Sequence, residues 1–271
     1  MTTDNKNELP MVLAHSSSQG VLRLTMNHPA RRNALSEAML NELQRHFHEA
    51  AADPAVRVII LAAEGPVFCA GHDLKELTAG RRADDNGRAY FRKIMAMCSA
   101  LMQAIVSHPK PVIAEVSGVA TAAGCQLVAS CDLAYASDTA LFGTPGVNIG
   151  LFCSTPMVAL SRNMSGKHAM EMLLTGEMVS AQRASETGLI NRVMPLADLT
   201  GTVMNVADTI AAKSVLTVST GKQAFYRQQH MPLSDAYAYC ASVMVENMLA
   251  KDAEEGINAF IEKRKPQWSD Q

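Results

Sequence analysis

The strongest constraint on this chain is a pattern that occurs twice. "VRVIILAAEG" (56–65) and "KPVIAEVSG" (110–118) are short, β-branched runs closed by glycine, each leading through a small-residue turn into helical spacing. A strand that ends in a tight turn at a helix start leaves backbone N–H groups without partners, and the helix dipole adds partial positive charge there. Two such units predict an α/β fold built on a degenerate repeat, with both turns able to aim donors at one ligand. In the second unit, "ATAAGCQLVASCDLAYAS" (120–137) reads as the turn, a helix, and then a strand from Asp132.

Flanking segments extend this reading. "VLRLTMN" (21–27) alternates as a half-buried strand does, and "SEAMLNELQRHFHEAA" (36–51) offers Ser36 as a cap before Met39, Leu40, Leu43 and Phe47 at helical spacing. Between the two units, residues 78–90, "TAGRRADDNGRAY", are polar and charged and predict a weakly ordered loop over whatever the turns enclose. From Gly166 onward the pattern is almost wholly helical. We divide the chain into a core at residues 1–195 and a helical region at 196–271.

Composition excludes several partner classes. With 24 basic and 26 acidic residues the chain has no strong global field, so nucleic acid and anionic membrane are not expected partners. Any acidic ligand must then be held locally. Six cysteines without a CxxC pair point to reduced thiols, and "MTTDNKNELP" has no apolar targeting core, so a soluble cytoplasmic protein is expected.

Five ordered stretches carry a resemblance: "VIILAAEGPVFCAGHDLKEL", "KPVIAEVSGVATAAGCQLVASCDLAYAS", "LFGTPGVNIGL", "TGEMVSAQRASETGLINRVMP" and "EGINAFIEKRKP". Together they resemble the crotonase (enoyl-CoA hydratase/isomerase) superfamily over nearly the whole chain. The resemblance implies a spiral of repeated ββα units followed by helices that assemble trimers, often paired into hexamers. It also implies a CoA thioester as substrate or ligand, with no permanently bound cofactor and no metal. The His72 and Ala123 N–H groups match the two donors of an oxyanion hole for the thioester oxygen. Arg31, Ala70, Asp73, Leu74 and Lys75 fall at matching positions along the CoA ester.

In hydratases of that superfamily two glutamates flank the bound enoyl thioester, and here the matching positions hold Gln126 and Gly146. Glutamine has no proton to exchange near neutral pH, and glycine has no side chain at all. The resemblance therefore implies a hydratase or isomerase relative with weak or atypical hydration. A non-catalytic acyl-CoA-binding or regulatory protein, and a thioester hydrolase or decarboxylase, stay open as alternatives.

Individual side chains have plainer readings too. Asp73 with Glu76 three residues on fits a capping box, and the His72 imidazole fits a solvated side chain. Glu115, on one strand face with Ile113 and Ser117, fits a paired or interface carboxylate. Cys153 stands near a helix start, where a thiol has a lowered pKa and becomes nucleophilic; the competing reading makes it buried filler, with Ser154 or Thr155 capping the helix.

Overall fold

The computed structural model describes residues 10–271; the N-terminal stretch used above for targeting lies, up to residue 9, outside the described residues. A six-stranded sheet is ordered β1-β2-β3-β5-β7-β10 and a four-stranded sheet β4-β6-β8-β9. Their strands are β1 (Val12–Ser16), β2 (Val21–Met26), β3 (Val58–Ala63), β4 (Val67–Cys69), β5 (Val112–Val116), β6 (Val119–Thr121), β7 (Leu133–Ser137), β8 (Leu141–Gly143), β9 (Met178–Ser180) and β10 (Arg192–Met194). Each turn of the spiral puts one strand in the large sheet and the next in the small one: β3 then β4, β5 then β6, β7 then β8. The repeat seen twice in the sequence thus occurs three times. This is the crotonase fold.

β2 is not half-buried. It pairs with β1 on one edge and β3 on the other, and only Arg23 along it keeps partial exposure. Its pairing is antiparallel with β1 and parallel with β3, and with both faces covered a near-continuous apolar run is favoured here over alternation. On one side lies α1 (Glu37–Ala52), whose Ser36 side chain accepts from the Met39 N–H as expected and whose Met39, Leu40, Leu43 and Phe47 are buried. On the other lies α8 (Leu196–Ala211), which sets Leu199, Val203 and Ala207 against Val21, Val58, Ile60 and Ile113. A boundary at residue 196 therefore cuts α8 from the sheet that it covers.

Residues 78–90 form the end of α2 (Leu74–Gly80), a run of turns, and the start of α3 (Arg88–Val106). Asp85 organises the link: its carboxylate accepts from the Gly87 and Ala89 N–H groups at the head of α3. The remaining helices are α4 (Ala123–Ser130), α5 (Pro156–Asn163), α6 (Gly166–Thr175), α7 (Ala181–Glu186), α9 (Val215–Gln228), α10 (Leu233–Met248) and α11 (Lys251–Ile261). The stretch after Gly166 also contains β9 and β10, each only three residues long. No helix among the described residues is long and apolar enough to cross a membrane.

Glu115 is a paired carboxylate. It receives Arg23 through both guanidinium arms, the longer contact 2.7 Å, and the Thr200 hydroxyl of α8 at 2.7 Å.

Candidate active site

Three parallel strands of the small sheet end side by side. Cys69 of β4 is in register with Ala120 of β6, and Thr121 of β6 with Gly143 of β8. Their C-terminal ends release Ala70–Gly71–His72, Ala122–Ala123 and Thr144–Pro145–Gly146 at one edge. Glycine permits the close approach. A Cβ on Gly124 would stand 2.1 Å from the Cys69 carbonyl oxygen, and one on Gly71 would stand 3.2 Å from the Ala123 nitrogen. The two repeat units are thus in backbone contact where their donors emerge.

At the first turn, the Asp73 side chain accepts from the Lys75 N–H at 2.8 Å and the Glu76 N–H at 3.3 Å. Half of the expected capping box forms. Glu76 turns away from Asp73 and accepts instead from the Glu37 N–H at the head of α1 and from the Tyr90 hydroxyl of α3. This ties α2 to both neighbours. Ala70 donates to the Arg32 carbonyl and Gly71 accepts from Leu35, which fixes the strand end, while the His72 N–H donates to no group among the described residues. The His72 imidazole is not solvated: both ring nitrogens are buried without hydrogen-bond partners among the described residues. Burial pushes its pKa down, with the Leu35 backbone and Glu76 opposing, so the ring is neutral.

At the second turn, Ala123 opens α4 and its N–H is one of the helix's orphan donors, unpartnered among the described residues. Ala123 itself has no positive φ. The strain falls one residue earlier, on Ala122, at φ 50° and ψ −118°. Such a conformation suits glycine, and a methyl-bearing residue held there costs about 1–3 kcal/mol. One turn into α4, Gln126 is 4% exposed and its Oε1 is buried without a partner among the described residues. An orphaned, buried amide oxygen one turn beyond the free Ala123 N–H marks a place for a ligand or a water.

At the third turn, Gly146 is buried in the 3₁₀ segment Pro145–Ile149. A Cβ there would stand 2.5 Å from the Leu151 carbonyl oxygen and 2.8 Å from Cys153 Sγ. The loop has closed over the position. Cys153 is 8% exposed and burial raises its thiol pKa, opposite in direction to the lowering expected at a helix start. Neither Ser154 nor Thr155 caps α5: the Ser154 hydroxyl donates to the Phe152 carbonyl and Thr155 makes no side-chain cap bond. Pro156 at the first helical position needs no donor of its own.

The cations sit at the rim. Arg31 is 3.7 Å from Asp73, and the exposed Lys75 has no ion-pair partner among the described residues. The structure thus gathers Arg31, Ala70, His72, Asp73, Leu74, Lys75, Ala123, Gln126 and Gly146 around the ends of β4, β6 and β8, with Cys153 against Gly146. Sequence reasoning missed Tyr90, whose hydroxyl reaches Glu76 of α2. It falls within the expected loop over 78–90, although Arg88, Phe91, Arg92 and Met95 recur at the spacing of one helix face. Among the described residues no cluster of three His, Cys, Asp or Glu side chains could hold a metal ion.

The family model for enoyl-CoA hydratase/isomerase matches residues 16–271. This chain belongs to that family. It is 50% identical over 250 residues to human mitochondrial enoyl-CoA hydratase domain-containing protein 3, covering 92% of this chain and 81% of that protein. The rat counterpart is 48% identical over 260 residues, covering 96% and 85%. Among solved structures, an enoyl-CoA hydratase of Mycobacterium smegmatis superposes with a TM-score of 0.92 at 49% identity, covering 96% of this chain and 99% of that one. Human enoyl-CoA hydratase domain-containing protein 3 gives 0.91 at 48% identity, covering 95% and 100%. These relatives overturn the cytoplasmic placement: the rat, mouse, human, frog and zebrafish proteins are all named mitochondrial. Reduced thiols and a short polar stretch do not discriminate between reducing compartments.

Proposed function

We propose that this family member binds an acyl-CoA thioester with the thioester oxygen between the His72 and Ala123 N–H groups, and acts in acyl-CoA or fatty acid metabolism with weak or atypical hydratase activity. The carrying observation is the pair of unpartnered N–H groups on two turns in backbone contact. Preorganised donors of this kind stabilise the negative charge that develops on a thioester oxygen, at about 3–4 kcal/mol where single donors have been removed from other enzymes. The relatives named as hydratases support the same ligand class.

Weak hydration follows from what stands opposite. Gln126 orients a water or a substrate atom through its amide but transfers no proton near neutral pH. Gly146 offers nothing, and the Leu151 carbonyl and the Cys153 thiol occupy the space that a side chain there would need. Each missing general acid–base group costs about 10²- to 10⁴-fold. A non-catalytic acyl-CoA-binding role is the second reading, favoured by the burial of Cys153 against Gly146, which withdraws that thiol as a nucleophile for thioester hydrolysis.

Assembly into a trimer or a pair of trimers is part of this proposal. Its support is the apolar surface of α10 and α11, where Leu233, Tyr237, Leu249, Phe260 and Ile261 are each more than 70% exposed. A monomer in sedimentation at micromolar concentration would remove this part. The ligand is tested by calorimetric titration with a ketone analogue of an acyl-CoA, in which a methylene replaces the thioester sulfur and the carbonyl is kept. Saturable binding is expected; no binding at millimolar analogue refutes the oxyanion-hole assignment.

A further inference from the structure

The two donor turns lead into helices that are anchored very differently. Among the described residues α4 buries all eight of its residues and α2 none of its seven, with Leu77 packing against the core from partial exposure. Short elements with few buried apolar contacts open locally at low free energy. The Ala123 donor therefore stands on a fixed helix, and the His72 donor needs another tether. Its peptide is held first at the Gly71 carbonyl, which accepts the Leu35 N–H at 2.8 Å. A single hydrogen bond leaves the peptide free to pivot. The second attachment is Glu76 in the first turn of α2, whose Oε2 accepts the Glu37 N–H at 2.9 Å, two residues beyond Leu35. Residues 35–37 thus grip both the peptide that carries the donor and the helix turn behind it.

Glu76 is itself held from α3. The Tyr90 hydroxyl donates to the same Oε2 at 3.2 Å, and Lys93, three residues on and on the same helix face, pairs with Glu37. Among the described residues Glu76 makes the only side-chain hydrogen bonds from α2 to other elements. The Tyr90 ring also covers the last turn of α2: a Cβ on Gly80 would stand 2.9 Å from the ring Cγ, so glycine leaves the room that the ring takes. Tyr90 therefore touches both turns of α2, one through its ring and the other through its hydroxyl. Burial and the Glu76 charge push its pKa up to about 12, so the hydroxyl stays a donor across the neutral range.

We propose that Tyr90 is a positioning residue for the oxyanion hole: acting through Glu76, it holds α2 so that the His72 N–H meets the oxygen shared with Ala123. The inference rests on the acyl-CoA reading above. The probes are the acyl-CoA ketone analogue and a thioether of the same length that lacks the carbonyl, so the ratio of their affinities reports the donors. Tyr90→Phe removes one hydroxyl from a partly exposed side chain and keeps the ring on Gly80. It should lower affinity for the ketone about tenfold, the contribution of a hydrogen bond to a charged group, and leave the thioether unchanged. Glu76→Gln still accepts both donors through its amide oxygen and should keep most of the ratio. Glu76→Ala should lose it, and Tyr90→Phe added to Glu76→Ala should cost nothing more, because the two act through one bond. In Tyr90→Phe, amide hydrogen exchange should quicken in residues 74–80 and not in 123–130. A Tyr90→Phe protein that keeps the ratio, weakens both ligands alike, or exchanges as much faster in α4 as in α2 overturns the inference and leaves the acyl-CoA reading standing. So does a further loss when Tyr90→Phe is added to Glu76→Ala. If the unmodified protein binds neither analogue, or binds the two equally, the oxyanion-hole reading itself fails and the inference falls with it.

Discussion

Replacing Gly124 with alanine perturbs the paired turns by one methyl group whose position is known. The added Cβ would stand 2.1 Å from the Cys69 carbonyl oxygen, 2.7 Å from its carbon and 2.8 Å from the Cys69 Cβ. Carbon and oxygen atoms approach comfortably at about 3.3–3.6 Å, so the end of β4 and the start of α4 must separate by roughly 1 Å or more. The obstacle is backbone on one side and a helix first turn on the other, so no side-chain rotation relieves it. Overpacking of this kind costs about 1–3 kcal/mol of stability. The functional cost is larger, because the separation moves the His72 donor away from the Ala123 donor, and a misplacement of about 1 Å can cost 10²-fold. The assay is a comparison of two ligands: the acyl-CoA ketone analogue, which keeps the carbonyl, and a thioether of the same length, which lacks it. Gly124→Ala should lose most of its affinity for the ketone and little for the thioether, with a lowered urea midpoint and an intact helical spectrum. Gly201→Ala, where nothing lies within 4 Å of the new methyl on α8, is the matched control; it should gain about 0.5–1 kcal/mol in stability. If Gly124→Ala binds the ketone as the unmodified protein does, the contact between the two turns does not hold the donors in place and the reasoning is wrong.

Other outcomes follow from the same site. Gln126→Glu should raise the residual hydration of a short enoyl-CoA by up to about 10²-fold, read as loss of enoyl absorbance, whereas Gly146→Glu should lose about 1–3 kcal/mol of stability and add no rate; equal gains from both would show that the loop after Pro145 yields freely. Ala122→Gly, by removing the methyl from a residue at φ 50°, should raise stability by up to about 2 kcal/mol after the glycine entropy cost is offset, and a loss in urea unfolding would contradict the strain. Below pH about 6.5 the protein should become less stable: burial lowers the folded pKa of His108, so the unfolded state takes up a proton that the folded state refuses. The geometry agrees, since His108 Nδ1 accepts the Lys110 N–H at 3.1 Å and Nε2 faces the Phe47 carbonyl at 3.0 Å. His108→Gln should flatten the fall in urea midpoint between pH 8 and 5.5, and an unchanged slope would assign the effect elsewhere.

The two turns were legible because their signal is local: a β-branched run, glycine, then helical spacing with Asp73 or small residues at the join. Glu115 was legible as a paired acid because a carboxylate inside an apolar strand has few other fates. β4, β6 and β8 were not separable by pattern, since three residues give no period to read. The direction taken by Glu76 depends on the Glu37 N–H, which arrives 39 residues away in sequence, and a capping-box spacing cannot register a competing donor. The positive φ of Ala122 and the closed space at Gly146 are likewise set by neighbours in the fold. The same holds for Cys153, where proximity to a helix start suggested activation but the Gly146 loop buries the thiol.

The closed space at Gly146 also constrains how this protein can change over evolutionary time. A carboxylate at position 146 collides with the Leu151 backbone unless the loop has already opened, and an opened loop over a bare glycine leaves an unfilled gap. Each half of the exchange is unfavourable without the other, so substitutions arriving singly meet a barrier in both orders. New chemistry at this edge is more accessible through Gln126 than through restoration of the third turn.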